Sequence, residues 1–460
     1  MAALEATVVA TAMPTVIAEL GGFRLYGWVT AGYLLASTVS VPIYGKLADL
    51  YGRKPWLLVG IGLFLVGSMA SGLSQSIVEL IVFRVVQGLG AGAMLPLSLT
   101  VVGDIYSFED RGKVQGFFSG VWGVSAIVGP LVGGAIVKSL SWRWVFYVNV
   151  PVGLGAAAIL MFAFTENVTK RSGRIQWPSA IALTVASTLL LAGAEGGQSF
   201  MLFPVALVLL LLFVRLEKKS DEPILPISLF RERLFVVSSV LTAILGGLMM
   251  GTLTFLPLFV QGVLGGSPTQ AGASITPMLV VWPITSAIIG RLLAKIGFRI
   301  PIVTGGFLVA GSSLGLALVV REAASALWLH VFTGGFGAGM GMAVPSTLIA
   351  VQTSVRWAQR GAATASSMFF RTMGGALMVG TLGSILAADL SRSFPPDVVA
   401  RLLDRSKGGD ASGPLVAALA SGIHLLFMIM AAGSFMALAT ALLFPRTKPT
   451  EMAGAALTES

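Results

Sequence analysis

The sequence predicts an all-α polytopic membrane protein built from two pseudo-symmetric six-helix bundles with two further helices inserted between them, fourteen spans in all. Composition is the first observation: 55% of the 460 residues are apolar and 11% charged, with 56 glycines, where a soluble domain carries about 25% charged residues. The second is spacing. A helix needs about 20 mostly apolar residues to cross hydrocarbon, and such stretches fall at roughly 1–19, 27–44, 56–73, 77–103, 114–137, 144–164, 177–194, 200–215, 235–260, 270–292, 300–319, 325–350, 362–388 and 415–444. The third is a duplication. Residues 81–96 (IVFRVVQGLGAGAMLP) return as 330–345 (HVFTGGFGAGMGMAVP), Gly45–Pro55 (GKLADLYGRKP) returns as Gly290–Pro301 (GRLLAKIGFRIP), and Arg111-Gly112 returns as Arg360-Gly361.

These repeats divide the chain into a first six-helix unit at 1–165, an insertion at 166–233, a second six-helix unit at 234–445 and a tail at 446–460. The seventh and eighth helices have no counterpart. They adjoin LEKKSDEPILPISLFRER (216–233), read as a cytoplasmic linker. The stretch 389–414, with its Pro-Pro and Gly-Gly, is read as an outer loop with a short amphipathic helix near 396–405.

Charge sets the orientation. With both termini cytoplasmic, 20 of the 30 Lys and Arg residues lie in inner loops, and only Arg84 and Arg371 fall inside helices. The net charge of +10 is thereby explained without nucleic acid, and the chain is expected to be a multi-pass protein of the cell (inner, cytoplasmic) membrane. Cysteine is absent and there are two histidines, His330 and His424, so no thiolate or histidine metal site is expected. Without a GxxxxGK[ST] loop, energy must come from an ion gradient, and no cofactor is expected.

Deep polar residues are the candidate machinery, because an ionisable group at a helix centre costs about 2.5 to 3.5 kcal/mol on the insertion scale. Among the acidic residues only Glu5 falls well inside a helix. It is the candidate proton carrier, with a bland alternative as an interfacial charge near the chain start. Arg84 sits about seven residues into helix four, beside the small residues Gly88-Leu89-Gly90 that permit close helix approach, and Gln87 follows on the same face. Arg84 is expected to bias the titration of a nearby carboxylate, unless it snorkels to an interface. Arg371, in helix thirteen, aligns with Trp122 of the first half and either meets an anionic or polar part of a substrate or holds a partner helix's carbonyls.

These segments resemble the major facilitator superfamily, and within it the fourteen-helix drug:proton antiporters, over nearly the whole chain. GKLADLYGRKP looks like the loop signature between helices two and three, with Gly45, Asp49, Gly52, Arg53 and Lys54 in place. The resemblance implies a gating role for its Asp and Arg, one-sided here because the second copy has Ala294 where the first has Asp49. RVVQGLGAG (84–92) is similar to the helix-four motif whose Arg is implicated in proton transfer. Helix five, with Gly116, Gly129, Pro130, Gly133 and Gly134, looks like the exporter motif, departing from it at Ser125. WRWVFYVNVPVG (142–153) resembles the fourteen-helix branch. LEATVVATAMPTV (4–16) resembles its helix-one signature, with Glu5 in place of the usual Asp. Since the family has a further apolar turn or two before this motif, Met1 is expected to be an internal start and helix one to be short.

The resemblance implies a major facilitator fold and, as function, proton-coupled export of lipophilic or amphiphilic compounds by alternating access. Phe117, Phe118 and Trp122 in helix five and Phe369, Phe370 and Arg371 in helix thirteen are the candidate cavity residues, each aromatic having packing or lipid contact as its ordinary alternative. Export of a lipid or metabolite, uptake by symport, and sodium in place of proton remain open. A membrane enzyme is not expected, since no nucleophile and base or metal cluster stands in the bilayer interior. The expected partners are small lipophilic substrates, protons and membrane lipids, with a periplasmic adaptor open and the chain itself monomeric.

Overall fold

A computed structural model describes residues 26–106, 108–166, 176–195, 201–220, 223–225, 227–266, 268–320, 325–356, 359–393 and 413–446, together with nine residues between 5 and 20. The described residues of the first stretch are helical (α1). There follow α2 (Tyr26–Tyr51), α3 (Arg53–Leu73), α4 (Ile77–Ile105), α5 (Phe108–Ser139), α6 (Trp144–Tyr147), α7 (Asn149–Ala163), α8 (Trp177–Glu195) and α9 (Leu202–Glu217). A 3₁₀ turn (Ile227–Arg231) leads to α10 (Arg233–Gly262), α11 (Pro268–Ile296), α12 (Arg299–Val319), α13 (Ala326–Ser354), α14 (Arg360–Ser393) and α15 (Gly413–Leu442). Helices are the expected solution, since hydrocarbon offers no partner for a free backbone N–H or C=O. Among the described residues ten are long and apolar enough to cross a membrane, α6 and α7 counting as one.

The sixth predicted span is broken into α6 and α7. Pro151 has no N–H to give the Tyr147 carbonyl, so the helix cannot run through unaltered. The expected amphipathic helix at 396–405 lies outside the described residues; α14 itself runs on to Ser393. The linker is packed rather than free. Ile224, Leu225 and Leu229 are buried, and Glu217, 2% exposed, accepts hydrogen bonds from the Ser179 hydroxyl and from Leu225 N at 2.8 Å.

The duplication is visible in the packing. In the first half α4 packs on α2 and α3, and α3 on α7; in the second α13 packs on α11 and α12, and α12 on α15. The halves meet along two seams, α2 with α14 and α5 with α11, which the repeat exchanges. The inserted helices treat the seams unequally. α8 pairs with α9 and lies on α2 and α14, whereas the α5–α11 seam presents exposed apolar rows, Phe117, Val121, Val124 and Val128 on one helix and Val280, Ile284, Ile288 and Leu292 on the other.

The end of the bundle that carries residues 45–55 is shut. α2 from 44 to 50, α13 from 343 to 353 and α14 from 361 to 369 are buried on all sides, as a helix is when neighbours surround it. From residue 370 onward α14 is mostly part-exposed, and so is the far half of α13. The halves therefore close together at this end, here called the motif face, and part toward the other.

Candidate functional site

Two polar assemblies stand out, one between the halves and one inside the first half. The first is built on α2. Gly45 lets α2 approach α14 so closely that a Cβ there would lie 2.4 Å from the Ala365 methyl, so only glycine fits. One turn on, Asp49 accepts from the backbone N–H groups of Gly361 (3.0 Å) and Ala362 (2.7 Å) in the first turn of α14. A carboxylate there satisfies donors that the helix cannot pair and meets the positive end of its dipole.

Arg53 and Asp104 extend this lock. Arg53, 1% exposed, donates to Asp49 at 3.3 Å and lies 3.1 Å from an Asp104 oxygen. The other Asp104 oxygen receives Arg360 of the second half at 2.9 Å, and Arg360 also donates to Gly103 O at 3.0 Å. Asp104 thus sits between one arginine from each half. Beneath it the Gln352 amide of α13 donates to Leu99 O of α4 (3.3 Å) and to Thr364 of α14 (3.1 Å). The remaining motif residues have local tasks. Gly52 takes φ 97°, a region that side chains disfavour, and Glu166 caps α3 by accepting from Arg53 N and Lys54 N, both at 2.8 Å. Lys54 Nζ donates to Met161 O and Phe164 O, closing the end of α7.

The second assembly lies further along α4. Glu5 of α1 pairs with Arg84 at 2.5 Å, the side chains being 0% and 2% exposed. Arg84 also donates to Gln87 Oε1 (2.7 Å) and Val29 O (3.3 Å), and its guanidinium rests 4.1 Å above the Tyr33 ring. The second Glu5 oxygen accepts from the Asn149 amide, which also donates to Ser68 Oγ at 3.1 Å. Ser68 in turn accepts from Gln87 (3.2 Å) and donates to Phe146 O (2.8 Å). Five spans, α1, α2, α3, α4 and the α6–α7 pair, converge on one carboxylate.

The second half lacks this node. Aligned through the shared prolines and glycines, Leu248 stands at the place of Glu5, Thr333 at Arg84 and Phe336 at Gln87. Leu248 and Phe336 are buried apolar groups, Thr333 bonds its own helix at Leu329 O, and Ser313, at the place of Ser68, keeps a buried hydroxyl without a partner among the described residues. At these places one half holds a buried ion pair and the other does not.

The sequence model described as Major Facilitator Superfamily matches residues 1–379. The chain belongs to this superfamily. This major facilitator is 38% identical over 397 residues to Multidrug transporter protein MdtP of Bacillus subtilis, covering 84% of the chain and 73% of that relative. To Multidrug resistance protein 3 of the same organism it is 37% identical over 398 residues, covering 84% and 77%. Among solved structures, the human organic anion transporter MFSD10 superposes with TM-score 0.64 at 17% identity, covering 95% of this chain and 96% of that one. The proton:xylose symporter XylE superposes with TM-score 0.63 at 14% identity, covering 93% and 92%. At such identities the two structures show the fold alone.

The predicted site residues divide by location. Glu5, Arg84 and Gln87 come together; Gly45, Asp49, Gly52, Arg53 and Lys54 form a second group on the motif face. Arg53, read from sequence as a loop charge, is instead buried inside the helical bundle, because it is needed against Asp49 and Asp104. In the exporter motif, Gly116 abuts Ala287 of α11, Gly129 and Gly133 are buried, and Gly134 is exposed with nothing near it. The side chains of Pro130 and Trp122 lie outside the described residues.

Of the cavity aromatics, Phe118 and Phe369 join one apolar cluster with Leu35 and Leu95, which also takes in Leu183 of α8 and Phe213 of α9. Phe370 belongs to the same cluster, with its ring 5.6 Å from that of Phe369, and Phe117 lies apart from it. Phe370 packs edge-on against Phe230 of the linker, 6.1 Å between ring centroids. Phe117, 73% exposed in an uninterrupted apolar row, presents the kind of surface that lipid chains cover. Sequence reasoning missed Asp104, Glu166, Gln352, Asn149 and Ser68. Asp104 had a signal, a carboxylate one residue beyond the end assigned to helix four, but its partners are 51 and 256 residues away in sequence.

Proposed function

We propose that this protein is a proton-coupled exporter of lipophilic and amphiphilic compounds, with Glu5 as proton carrier and alternating access as the mechanism. The observation that carries the reading is the enclosed Glu5–Arg84 pair in one half of an otherwise duplicated bundle. Protonating Glu5 removes the charge that neutralises Arg84 and leaves a buried cation uncompensated, a change of about 3 to 5 kcal/mol when one partner of a buried pair is lost. That energy is available to shift a two-state equilibrium between the halves. α4 carries Arg84 two turns in from its start and Asp104 at its end, so a displacement of α4 reaches the lock directly.

The basic motif face is read as cytoplasmic on the positive-inside rule, and the conformation described is then the one closed to the cytoplasm. Export rather than uptake is supported by the similarity to relatives named as a multidrug transporter and a multidrug resistance protein. The test is efflux of a panel of lipophilic dyes from cells at matched expression. Dye accumulation should fall when wild type is expressed and should not fall with Glu5→Gln. Accumulation raised by the wild-type protein would mean uptake.

A further inference from the structure

The cleft holds a charge that neither the lock nor the polar node uses. Arg371 follows Thr364 by seven residues and so shares its helix face. Thr364 turns that face toward the axis, where it meets Gln352 of α13, which in turn reaches Leu99 of α4. Arg371 therefore stands above this floor by about 10 Å, at 1.5 Å per residue, just beyond the shut stretch 361–369. Its stem is backed by α10, since a Cβ at Gly246 would come within 2.9 Å of Arg371 Cγ and 2.1 Å of its carbonyl oxygen.

The other deep arginines are matched. Arg84 has Glu5, Arg53 has Asp49 and Asp104, and Arg360 has Asp104. Arg371 has no hydrogen bond or ion pair among the described residues, and it is part-exposed. Of its two sequence-based readings, a bond to a neighbouring helix's carbonyls is therefore not the one realised there. Leu35, Leu95 and Phe118 are partly buried against an apolar cluster that includes Met368, Phe369 and Met373. A lone guanidinium beside an apolar wall suits a ligand that brings its own negative charge on an apolar body. The planar fork of arginine pairs with carboxylate, sulfonate or phosphate through two parallel hydrogen bonds.

We propose that Arg371 binds the anionic group of the transported amphiphile in the cleft, and that the Leu35, Leu95 and Phe118 surface receives its apolar part. This rests on the export reading and names its substrate class. The full-length protein, reconstituted in liposomes under a pH gradient, is given a carboxylate-bearing lipophilic dye, its methyl ester and a trimethylammonium analogue. The wild type should move the acid fastest. Arg371→Gln should slow the acid by about ten-fold or more, chiefly through KM, as loss of a charge-assisted hydrogen bond predicts, while the ester changes little. Arg371→Lys, which keeps the charge, should recover part of the acid rate and also controls for folding.

Equal loss of acid and ester transport in Arg371→Gln would make the residue structural and overturn the proposal. Wild-type transport of the ester or the ammonium analogue in preference to the acid would overturn it while leaving export intact. If the wild type moves none of the three, the export reading fails and this one with it. A fluorescent phosphatidylglycerol in the same vesicles separates a lipid anion from a soluble one, since Arg371-dependent movement of that lipid alone would place the anion on a membrane lipid.

Discussion

Glu5 is the residue on which the proposed mechanism turns, and two substitutions separate a structural role from a coupling role. The carboxylate is closed off from the cleft, held by Arg84 and Asn149. Removing only its charge leaves Arg84 buried and unpaired, so Glu5→Gln should lower thermal stability in detergent as well as abolish gradient-driven transport. A second change that neutralises the arginine, Glu5→Gln with Arg84→Met, should recover much of the stability, since two contacting groups are not additive. Transport should not recover. If it does, the pair only holds helices together. The sequence disclosed Glu5 and Arg84 because ionisable groups are rare at such depth. It did not disclose Ser68 or Asn149, which are unremarkable polar residues until the fold brings them to the same carboxylate.

At the scale of elements, the lock joins the end of α2 to the start of α14, and its strength depends on close approach. Gly45→Leu would drive a side chain into the Ala365 methyl, and Asp49→Asn would remove the charge from the α14 terminus. Both are expected to favour the conformation open on the motif face. The chain has no cysteine, so a single Val41→Cys, buried between the halves beside Leu99 and Ala365, reports this directly. Its labelling by a membrane-impermeant maleimide from the motif face should rise several-fold with Asp49→Asn, the scale expected when a charge-assisted hydrogen bond is lost. Unchanged labelling would remove Asp49 from the lock. The inserted pair makes a separate prediction through Glu217, which joins α8, α9 and the linker. Glu217→Ala leaves buried donors unpaired, so proteolysis at Lys218 and Lys219 should quicken while α3 to α5 stay protected. Helix limits were legible from hydropathy almost throughout. The α6–α7 break was not, because Pro151 lies early in an unbroken apolar run. The packed linker was hidden as well, since 216–233 reads as polar and only Ile224, Leu225 and Leu229 dock it.

Across the whole molecule, two copies of one bundle meet along seams that the repeat exchanges, yet the copies have diverged. The first half keeps the Glu5–Arg84 node, and the second has Leu248, Thr333 and Phe336 at the places of Glu5, Arg84 and Gln87, together with an arginine, Arg371, that has no ion pair among the described residues. The duplication itself could be read from glycines and prolines at fixed offsets, because these residues are set by helix packing that both halves share. What the seams bury was beyond reach, since contacts such as Asp49 with Gly361 or Arg360 with Asp104 span hundreds of residues with no local pattern. The asymmetry carries the central proposal, that one carboxylate, in one half, couples the proton gradient to movement of both. The most direct test reconstitutes wild type and Glu5→Gln in liposomes under an imposed pH gradient and follows substrate and internal pH together. In the wild type, adding substrate should accelerate collapse of the gradient as substrate moves against it, and Glu5→Gln should show neither. Substrate-linked proton movement that persists in Glu5→Gln would contradict the account.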